Sequence, residues 1–240
     1  MKFIDVVKNK QNNLFGNRQP TIVFLGDSVT HGCFDIYVQN DTIQTYMETE
    51  KAYHEKVKEI FRLLYPTVPL SVINAGISGD RASGGLKRLE RDALSYKPDL
   101  LIVCYGLNDA KGTEKGLKSY IDSLREIFNE TKSKGAEVIF LTPNLRTDRI
   151  DIKFNDELLN ECARDVMSNE NDGWLEKYLN EARLLCGEMK IPICDCNKIW
   201  NILKLNDVDI NNLLSNRVNH PVEKMHWLFA YELVKTMFVE

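Results

Sequence analysis

Four short segments of the chain carry residues of the kinds that hydrolytic chemistry uses. Ser28 stands in Gly-Asp-Ser, Gly79 in NAGISGD, Asn108 in GLND and His220 in NHP. A hydroxyl becomes a strong nucleophile when a neighbouring base takes its proton, and imidazole is the commonest such base. Backbone N–H groups and a carboxamide stabilise negative charge that develops on a substrate oxygen. Together, the four residues fit nucleophilic attack on a carbonyl group.

Each of these residues alone also has an ordinary structural explanation. Ser28 fits a helix N-cap, and Gly79 fits a turn that needs unusual dihedral angles. Asn108 fits a turn, and His220 fits a surface or hydrogen-bonded histidine. Their order, with each residue in a separate segment, favours the joint interpretation.

The elements that must position these residues follow from the hydrophobic pattern. Short, nearly continuous apolar runs predict five strands buried on both faces, at residues 21–25, 70–74, 100–105, 138–141 and 191–194. Apolar residues at helical spacing predict helices at 57–64, 117–128, 174–189 and 230–238. Alternating strands and helices predict an α/β fold with a parallel sheet covered on both faces. In such sheets ligands bind at the carboxyl ends of the strands.

Two segments lack a regular pattern. Residues 144–173, up to the predicted helix, are rich in Arg, Asp and Asn, and we interpret them as an insertion near the mouth of a site. Residues 206–219 are an Asn-rich loop before the last helix. No repeat or change of composition divides the chain, so we expect a single domain over residues 1–240.

The composition is that of an ordinary globular protein. The 240 residues include 31 Lys and Arg against 35 Asp and Glu, so the net charge is −4. This balance gives no reason to expect nucleic acid or an anionic membrane as a partner. No apolar run approaches the about 18 residues of a membrane helix, and the N-terminus lacks a secretory pattern. Six cysteines without a C-x-x-C pair are interpreted as reduced thiols, so we expect a cytoplasmic protein.

The four segments together resemble the signature blocks of the SGNH hydrolases, also called GDSL-type esterases or lipases. The resemblance runs from residue 21 to residue 238 and includes the stretch NAGISGDRASGGLKRLERDAL. It implies a flavodoxin-like three-layer α/β/α sandwich with a central five-stranded parallel sheet. It also implies ester hydrolysis without a cofactor. The G-x-S-x-G elbow of other α/β-hydrolases is absent around Ser28.

The resemblance assigns a role to each signature residue. Ser28 is the nucleophile, and His220 is the general base and then the general acid. The N–H groups of Ser28 and Gly79 and the Asn108 carboxamide hold the oxyanion. With an ordinary histidine pKa of about 6.5, the rate should rise with pH through that value. The implied substrate is a small-molecule ester with a short acyl chain, and acetyl groups on carbohydrate are favoured.

One departure from the family pattern concerns the support of His220. The usual block is D-x-x-H, but the residue three positions before His220 is Arg217. Without the acid, the imidazolium is less stabilised and its tautomer is less well defined. Either the Arg217 carbonyl accepts from the imidazole, or a carboxylate such as Asp148 or Asp209 swings in, or the site is impaired. We favour the first arrangement, a Ser–His dyad.

The other histidines and two cysteines have structural explanations at least as good as functional ones. His226 is an alternative base, but it falls in the last predicted helix, where it fits a structural residue near the site or packed against Trp227. His54 fits a solvated helix face, and His31 fits either substrate contact or a structural role. Cys194-Asp195-Cys196 fits core packing better than a redox or metal site.

Residues beside the catalytic blocks are candidates for support. We expect Asp27 and Asp109 to orient the loops through hydrogen bonds to the backbone. Tyr105, Trp227 and segment 146–149 are candidate lining residues, although packing explains each equally well.

Three other functions stay open. A thioesterase or lysophospholipase would use the same site on a different ester. A non-catalytic carbohydrate-binding module would explain the missing acid. A flavodoxin-like nucleotide binder is disfavoured because Asp27 would repel phosphate after the first strand. The sequence does not predict the oligomeric state.

Overall fold

A parallel sheet of five strands forms the centre of the protein. The computed structural model describes residues 2–239. The strands in this range, including two outside the central sheet, are β1 (Thr21–Gly26), β2 (Cys33–Gln39), β3 (Thr42–Met47), β4 (Ser71–Gly76), β5 (Leu100–Cys104), β6 (Glu137–Leu141) and β7 (Ile193–Cys194). The central sheet has the order β4-β1-β5-β6-β7, and all its pairs are parallel. This is the strand order of flavodoxin-like doubly wound sheets. The predicted α/β class and the five-stranded parallel sheet are confirmed.

The helices cover both faces of this sheet. Their bounds are α1 (Phe3–Asn12), α2 (Ser28–His31), α3 (Tyr53–Leu64), α4 (Ala82–Asp92), α5 (Thr113–Ser133), α6 (Glu157–Asn171), α7 (Trp174–Met189), α8 (Cys196–Leu205) and α9 (Glu223–Val239). Helix α3 packs on α9, whereas α5 packs on both α4 and α7, which divides these helices into two groups. None of the helices described in residues 2–239 has the length and apolar composition of a transmembrane span.

The predicted strands are confirmed because they are the most apolar segments of the chain. Every residue of β1 and β5 is buried, as central strands of a covered parallel sheet must be. The last strand is shorter than predicted and contains only Ile193 and Cys194. Pro192 precedes it and has no N–H to donate, although its carbonyl accepts from the N–H of Phe140 at 3.0 Å.

Several elements were not predicted, and the sequence carries a readable signal for β2, β3 and α6. Strands β2 and β3 form an antiparallel hairpin whose turn residues Asn40 and Asp41 have φ of 51° and 53°. An Asn-Asp pair in the left-handed region is typical of a two-residue hairpin turn. Helix α6 lies inside the segment predicted to be irregular, yet Leu159, Ala163 and Val166 recur on its buried face.

Helix α4 approaches the sheet closely at Gly85. A Cβ atom at this position would lie 2.2 Å from the hydroxyl oxygen of Tyr105. That hydroxyl accepts a hydrogen bond from Arg88 at 2.9 Å and donates to Asp80 at 3.2 Å. Only a glycine lets the helix sit this near without moving the hydroxyl from its two partners.

Gly85→Ala should therefore destabilise the protein by about 1–3 kcal/mol, the usual effect of overpacking a core. Gly187→Ala is the matched control, because it lies in α7 and a Cβ there meets nothing within 4 Å. The control should be stabilised by up to about 1 kcal/mol, since alanine favours helix over glycine. Urea denaturation measures both changes, and equal stabilities for Gly85→Ala and the wild type would refute the prediction.

Candidate active site

Ser28 and His220 are 192 positions apart in the sequence and meet at the carboxyl end of β1. The Ser28 Oγ lies 2.9 Å from Nε2 of His220. Both residues are buried, with 4% and 3% of their surface exposed. Asp27, not Ser28, caps helix α2, because its Oδ1 accepts the N–H of Val29 at 3.0 Å. The Ser28 hydroxyl is therefore free to pair with the imidazole.

Gly79 and Asn108 lie in the loops that follow the two neighbouring strands, β4 and β5. Gly79 has a φ of +77°, and a Cβ there would meet nothing within 4 Å, so its backbone borders open space. Asn108 donates from Nδ2 to the backbone carbonyl of Asp80 at 3.1 Å, which joins the two loops. Among the hydrogen bonds of residues 2–239, none uses the N–H of Ser28 or of Gly79.

Asp109 ties the end of β5 to the start of α4. Its Oδ1 accepts the N–H of Ala82 at 2.9 Å, and its Oδ2 accepts the N–H of Gly106 at 3.1 Å. The predicted role of Asp27 and Asp109 in orienting the loops through backbone hydrogen bonds is confirmed.

Arg88 is a buried cation that was not among the residues predicted for the site. It donates to the carbonyl of Gly26 at 3.1 Å, to that of Ala75 at 2.6 Å, and to the Asp80 carboxylate at 2.8 Å. These groups stand at the ends of β1 and β4 and beside Gly79. Tyr105, a candidate lining residue, is buried in the same cluster. No helix was predicted here, but Ala82, Gly85 and Leu89 recur at helical spacing on the buried face that also carries Arg88.

Segment 146–149 was a candidate for lining the site, but its first residue is buried and supports the site from behind. Arg146 is buried, pairs with Glu170 at 2.8 Å, and donates to the carbonyl of Leu107 at 3.1 Å, directly before Asn108. Arg149 is half-exposed and pairs with Asp209 at 2.6 Å. Arg146 therefore anchors the loop that carries Asn108.

The second ring nitrogen of His220 faces a carboxamide. Nδ2 of Asn216 lies 2.9 Å from Nδ1 of His220. Neither of the two carboxylates that were considered as supports contacts the ring. Asp209 is paired with Arg149, and Asp148 is paired with Lys204 at 2.7 Å.

The Arg217 carbonyl, the support that we favoured, is also not the partner. Among residues 2–239, the hydrogen bonds of the His220 ring go to Ser28, Asn216 and the Cys33 thiol, whose Sγ lies 3.6 Å from Nδ1. Sequence reasoning missed Asn216 because it stands four positions before the histidine, one position away from the expected acid.

The loop that presents His220 is closed by its own hydrogen bonds. Arg217 has a φ of 57°, which turns the chain back on itself. The N–H of Ser215 donates to the carbonyl of His220 at 2.7 Å, and the Asn144 side chain donates to the carbonyl of Asn219 at 2.9 Å. Asn144 belongs to the segment that we interpreted as an insertion near a site.

Burial controls the charge of the site. It lowers the pKa of His220 to about 3, and the positive charge of Lys111 acts in the same direction. The imidazole is therefore neutral at pH 7, and its pKa is well below the ordinary histidine value of about 6.5. Burial also raises the pKa of Asp27 to about 7 and that of the Cys33 thiol to about 12.

His226 is a core residue, not a second base. It is fully buried, its Nδ1 accepts the N–H of Tyr53 at 3.1 Å, and its ring lies 5.0 Å from that of Phe34. Trp227 does not pack against it. The Trp227 ring lies 5.7 Å from that of Tyr231 and 5.2 Å from Nζ of Lys56.

The predicted solvated position of His54 is wrong. The side chain is buried, with its ring 5.9 Å from that of Phe24, and burial lowers its pKa to about 4. His31 has a structural contact, since its Nδ1 accepts the N–H of Ser78 at 3.3 Å. Cys194 and Cys196 are both buried, as core packing requires, and all six cysteines are free thiols.

Comparisons with known proteins identify the family. The GDSL-like lipase/acylhydrolase family matches residues 24–228. The chain belongs to this family, which is one of carboxylic ester hydrolases.

Individual relatives agree with this assignment. An acetylxylan esterase from Geobacillus stearothermophilus is 28% identical over 131 residues, which are 51% of this chain and 58% of that protein. The crystal structure of the acetyl xylan esterase AlAXEase has a TM-score of 0.68 at 21% identity, covering 90% of this chain and 98% of the other. A lipase/acylhydrolase from Enterococcus faecalis has a TM-score of 0.66 at 21% identity, covering 90% and 94%. The two structures share the fold.

The structural role of His226 predicts a pH-dependent stability difference. Burial lowers its pKa to about 3, whereas the unfolded chain binds that proton near pH 6.5. The folded state therefore loses stability as the pH falls below 6.5, by up to about 1.4 kcal/mol per pH unit for this one group. His226→Gln lacks this proton linkage.

The difference in unfolding free energy between the wild type and His226→Gln should shrink as the pH is lowered from 6.5 to 4.5. Urea denaturation at several pH values measures it, and the other titrating groups cancel in the difference. A difference that stays constant with pH would show that His226 is solvated and titrates normally.

Proposed function

We propose that the chain is a serine esterase that hydrolyses short-chain acyl esters, with Ser28 as the nucleophile and His220 as the base. The observation that carries the proposal is the 2.9 Å contact between Ser28 Oγ and His220 Nε2. A buried hydroxyl paired with a buried neutral imidazole is the arrangement that activates a serine. Gly79 and Asn108 stand in the two adjacent loops, where an oxyanion needs donors.

The reaction proceeds in two halves. In the first, Oγ of Ser28 attacks the carbonyl carbon while its proton passes to Nε2 of His220. The oxyanion is held by the N–H groups of Ser28 and Gly79 and by the Asn108 carboxamide, and loss of one such donor typically costs about 2.7–4 kcal/mol. His220 then protonates the leaving alcohol. In the second half, His220 takes a proton from the water molecule that attacks the acyl-enzyme. It then returns this proton to Oγ of Ser28 as the acid is released.

An acetyl group on a carbohydrate is the substrate that the comparisons support best. The curated relative is an acetylxylan esterase, and one structural neighbour is an acetyl xylan esterase. The burial of Ser28 also favours a short acyl chain over a long one. A thioesterase or lysophospholipase would need room for a thioester carrier or a long chain.

Ser28→Ala should abolish hydrolysis of p-nitrophenyl acetate and labelling by a fluorophosphonate, because both reactions form a bond to Oγ. Wild-type rates should fall from acetate to butyrate to octanoate. Ser78→Ala is the matched control, since only its backbone N–H has a role in the site, and it should keep both activities. Intact mass and initial rates measure the outcome.

Absence of both turnover and label in folded wild-type protein would favour a carbohydrate-binding module. A preference for octanoate over acetate would favour a lysophospholipase instead.

The pH profile should lack an acid limb near pH 6.5. Only the neutral imidazole accepts the Ser28 proton, so kcat/KM falls as the pH drops through the pKa of His220, which burial lowers to about 3. We expect kcat/KM for p-nitrophenyl acetate to change less than about two-fold from pH 5 to 8. The Ser28→Ala rate at each pH is the background. A midpoint near 6.5 would mean that the working site is solvated.

A further inference from the structure

We propose that Asn216 is the positioning residue of His220 and that its carboxamide favours the tautomer with the proton on Nε2, so that only the less populated tautomer accepts the Ser28 proton. The inference rests on the proposed function, since it assigns the support of that same base. The chain is then an esterase in which the hydrogen bond from Asn216 to Nδ1 of His220 limits the activation of Ser28.

The orientation of the Asn216 carboxamide is determined by its surroundings. Its Oδ1 accepts three backbone N–H groups, those of Val218 at 3.1 Å, Asn219 at 2.9 Å and His220 at 3.0 Å. Rotating the amide by half a turn would place the NH2 group against these three donors. Asn216 is buried, so water cannot relieve such a conflict. The oxygen therefore faces the backbone and the NH2 group faces His220.

The orientation of the amide sets the tautomer of the neutral imidazole. Nδ2 of Asn216 carries only hydrogens to donate, and it lies 2.9 Å from Nδ1 of His220. Nδ1 must then be the acceptor, which places the ring proton on Nε2. Nε2 lies 2.9 Å from Oγ of Ser28, so the ring donates to the hydroxyl instead of accepting from it.

The form that can act as a base is disfavoured by the same contacts. It needs the proton on Nδ1, where an N–H would point at the Asn216 NH2 group. The other contact of Nδ1 among residues 2–239 is the Cys33 Sγ at 3.6 Å, a weak acceptor. In serine proteases, replacing the triad Asp by Asn leaves the geometry intact, gives the wrong tautomer and lowers kcat by about 10⁴.

The groups that act on the charge of His220 do not supply an acid. Lys111 is a cation, the Cys33 thiol is neutral, and His226 is a buried neutral imidazole. Within the described part of the chain, Asn216 alone therefore decides whether Nδ1 donates or accepts a hydrogen bond.

Asn216→Asp reverses that polarity with the least change in structure. One carboxylate oxygen keeps the three backbone N–H groups, and the other accepts Nδ1–H. We expect kcat for p-nitrophenyl acetate to rise at least about ten-fold with KM changed less than about three-fold. The acid limb of kcat/KM should also move to higher pH, because the new carboxylate favours the imidazolium.

The tautomer itself is measured on unmodified protein by two-bond ¹⁵N–¹H correlation spectra after ¹⁵N-histidine labelling. The His220 signals are those that disappear in His220→Gln. We expect the Nε2–H pattern in the wild type and the Nδ1–H pattern in Asn216→Asp. An Nδ1–H wild type would overturn the inference without any reference to activity.

Asn219→Asp is the matched control, since it adds the same charge to the same loop. Its Oδ1 already accepts from Asn216 at 3.0 Å, so the group facing Nδ1 does not change. The control should keep the Nε2–H tautomer and its kcat within about three-fold of the wild type.

The outcomes separate the two proposals. A changed tautomer in Asn216→Asp with unchanged kcat would contradict the claim that the tautomer of His220 limits hydrolysis. Equal activation by Asn219→Asp would mean that added charge, not the contact at Nδ1, is responsible. If neither the wild type nor Asn216→Asp shows Ser28-dependent hydrolysis or labelling, the proposed function fails, while the spectra still decide the assignment of Asn216.

Discussion

The hydrogen bond between Ser28 and His220 is the contact on which the arrangement of the site depends. It joins the end of the first strand to the last loop, 192 positions later, and both partners are buried. An unpaired buried polar atom destabilises the folded protein. The backbone at Ser28 and the backbone at His220 must therefore be held in place to within a fraction of an ångström. The remaining polar contacts of the site can be understood as the means of meeting that requirement.

Three buried polar side chains meet most of this requirement. Arg88 holds the carbonyls at the ends of β1 and β4, Asp109 holds the N–H groups at the ends of β5 and the start of α4, and Arg146 holds the carbonyl before Asn108. A buried polar side chain is stable only when it is hydrogen-bonded. Each of these three is bonded to backbone that it also immobilises, which keeps the Gly79 and Asn108 loops near Ser28.

The group beside Nδ1 of His220 is a carboxamide, where the family resemblance implies a carboxylate. A carboxylate at Nδ1 would orient the ring and stabilise the imidazolium, whereas a carboxamide orients the ring and leaves its charge uncompensated. Burial acts in the same direction by keeping His220 neutral. Ring placement and proton affinity, which one acid usually controls together, are therefore separated in this protein.

The sequence by itself determined the class of fold and the residues that meet in the site, because short apolar runs and blocks of glycine, serine and histidine are local signals. It also carried the signals for the β2–β3 hairpin and α6. The tertiary structure alone decided which residues support the side chains of the site. Asn216, Arg88 and Arg146 act through contacts with distant backbone, and His54 is buried by a ring 30 positions away in β1. Such partners depend on where loops cross, and no residue pattern along one segment records that.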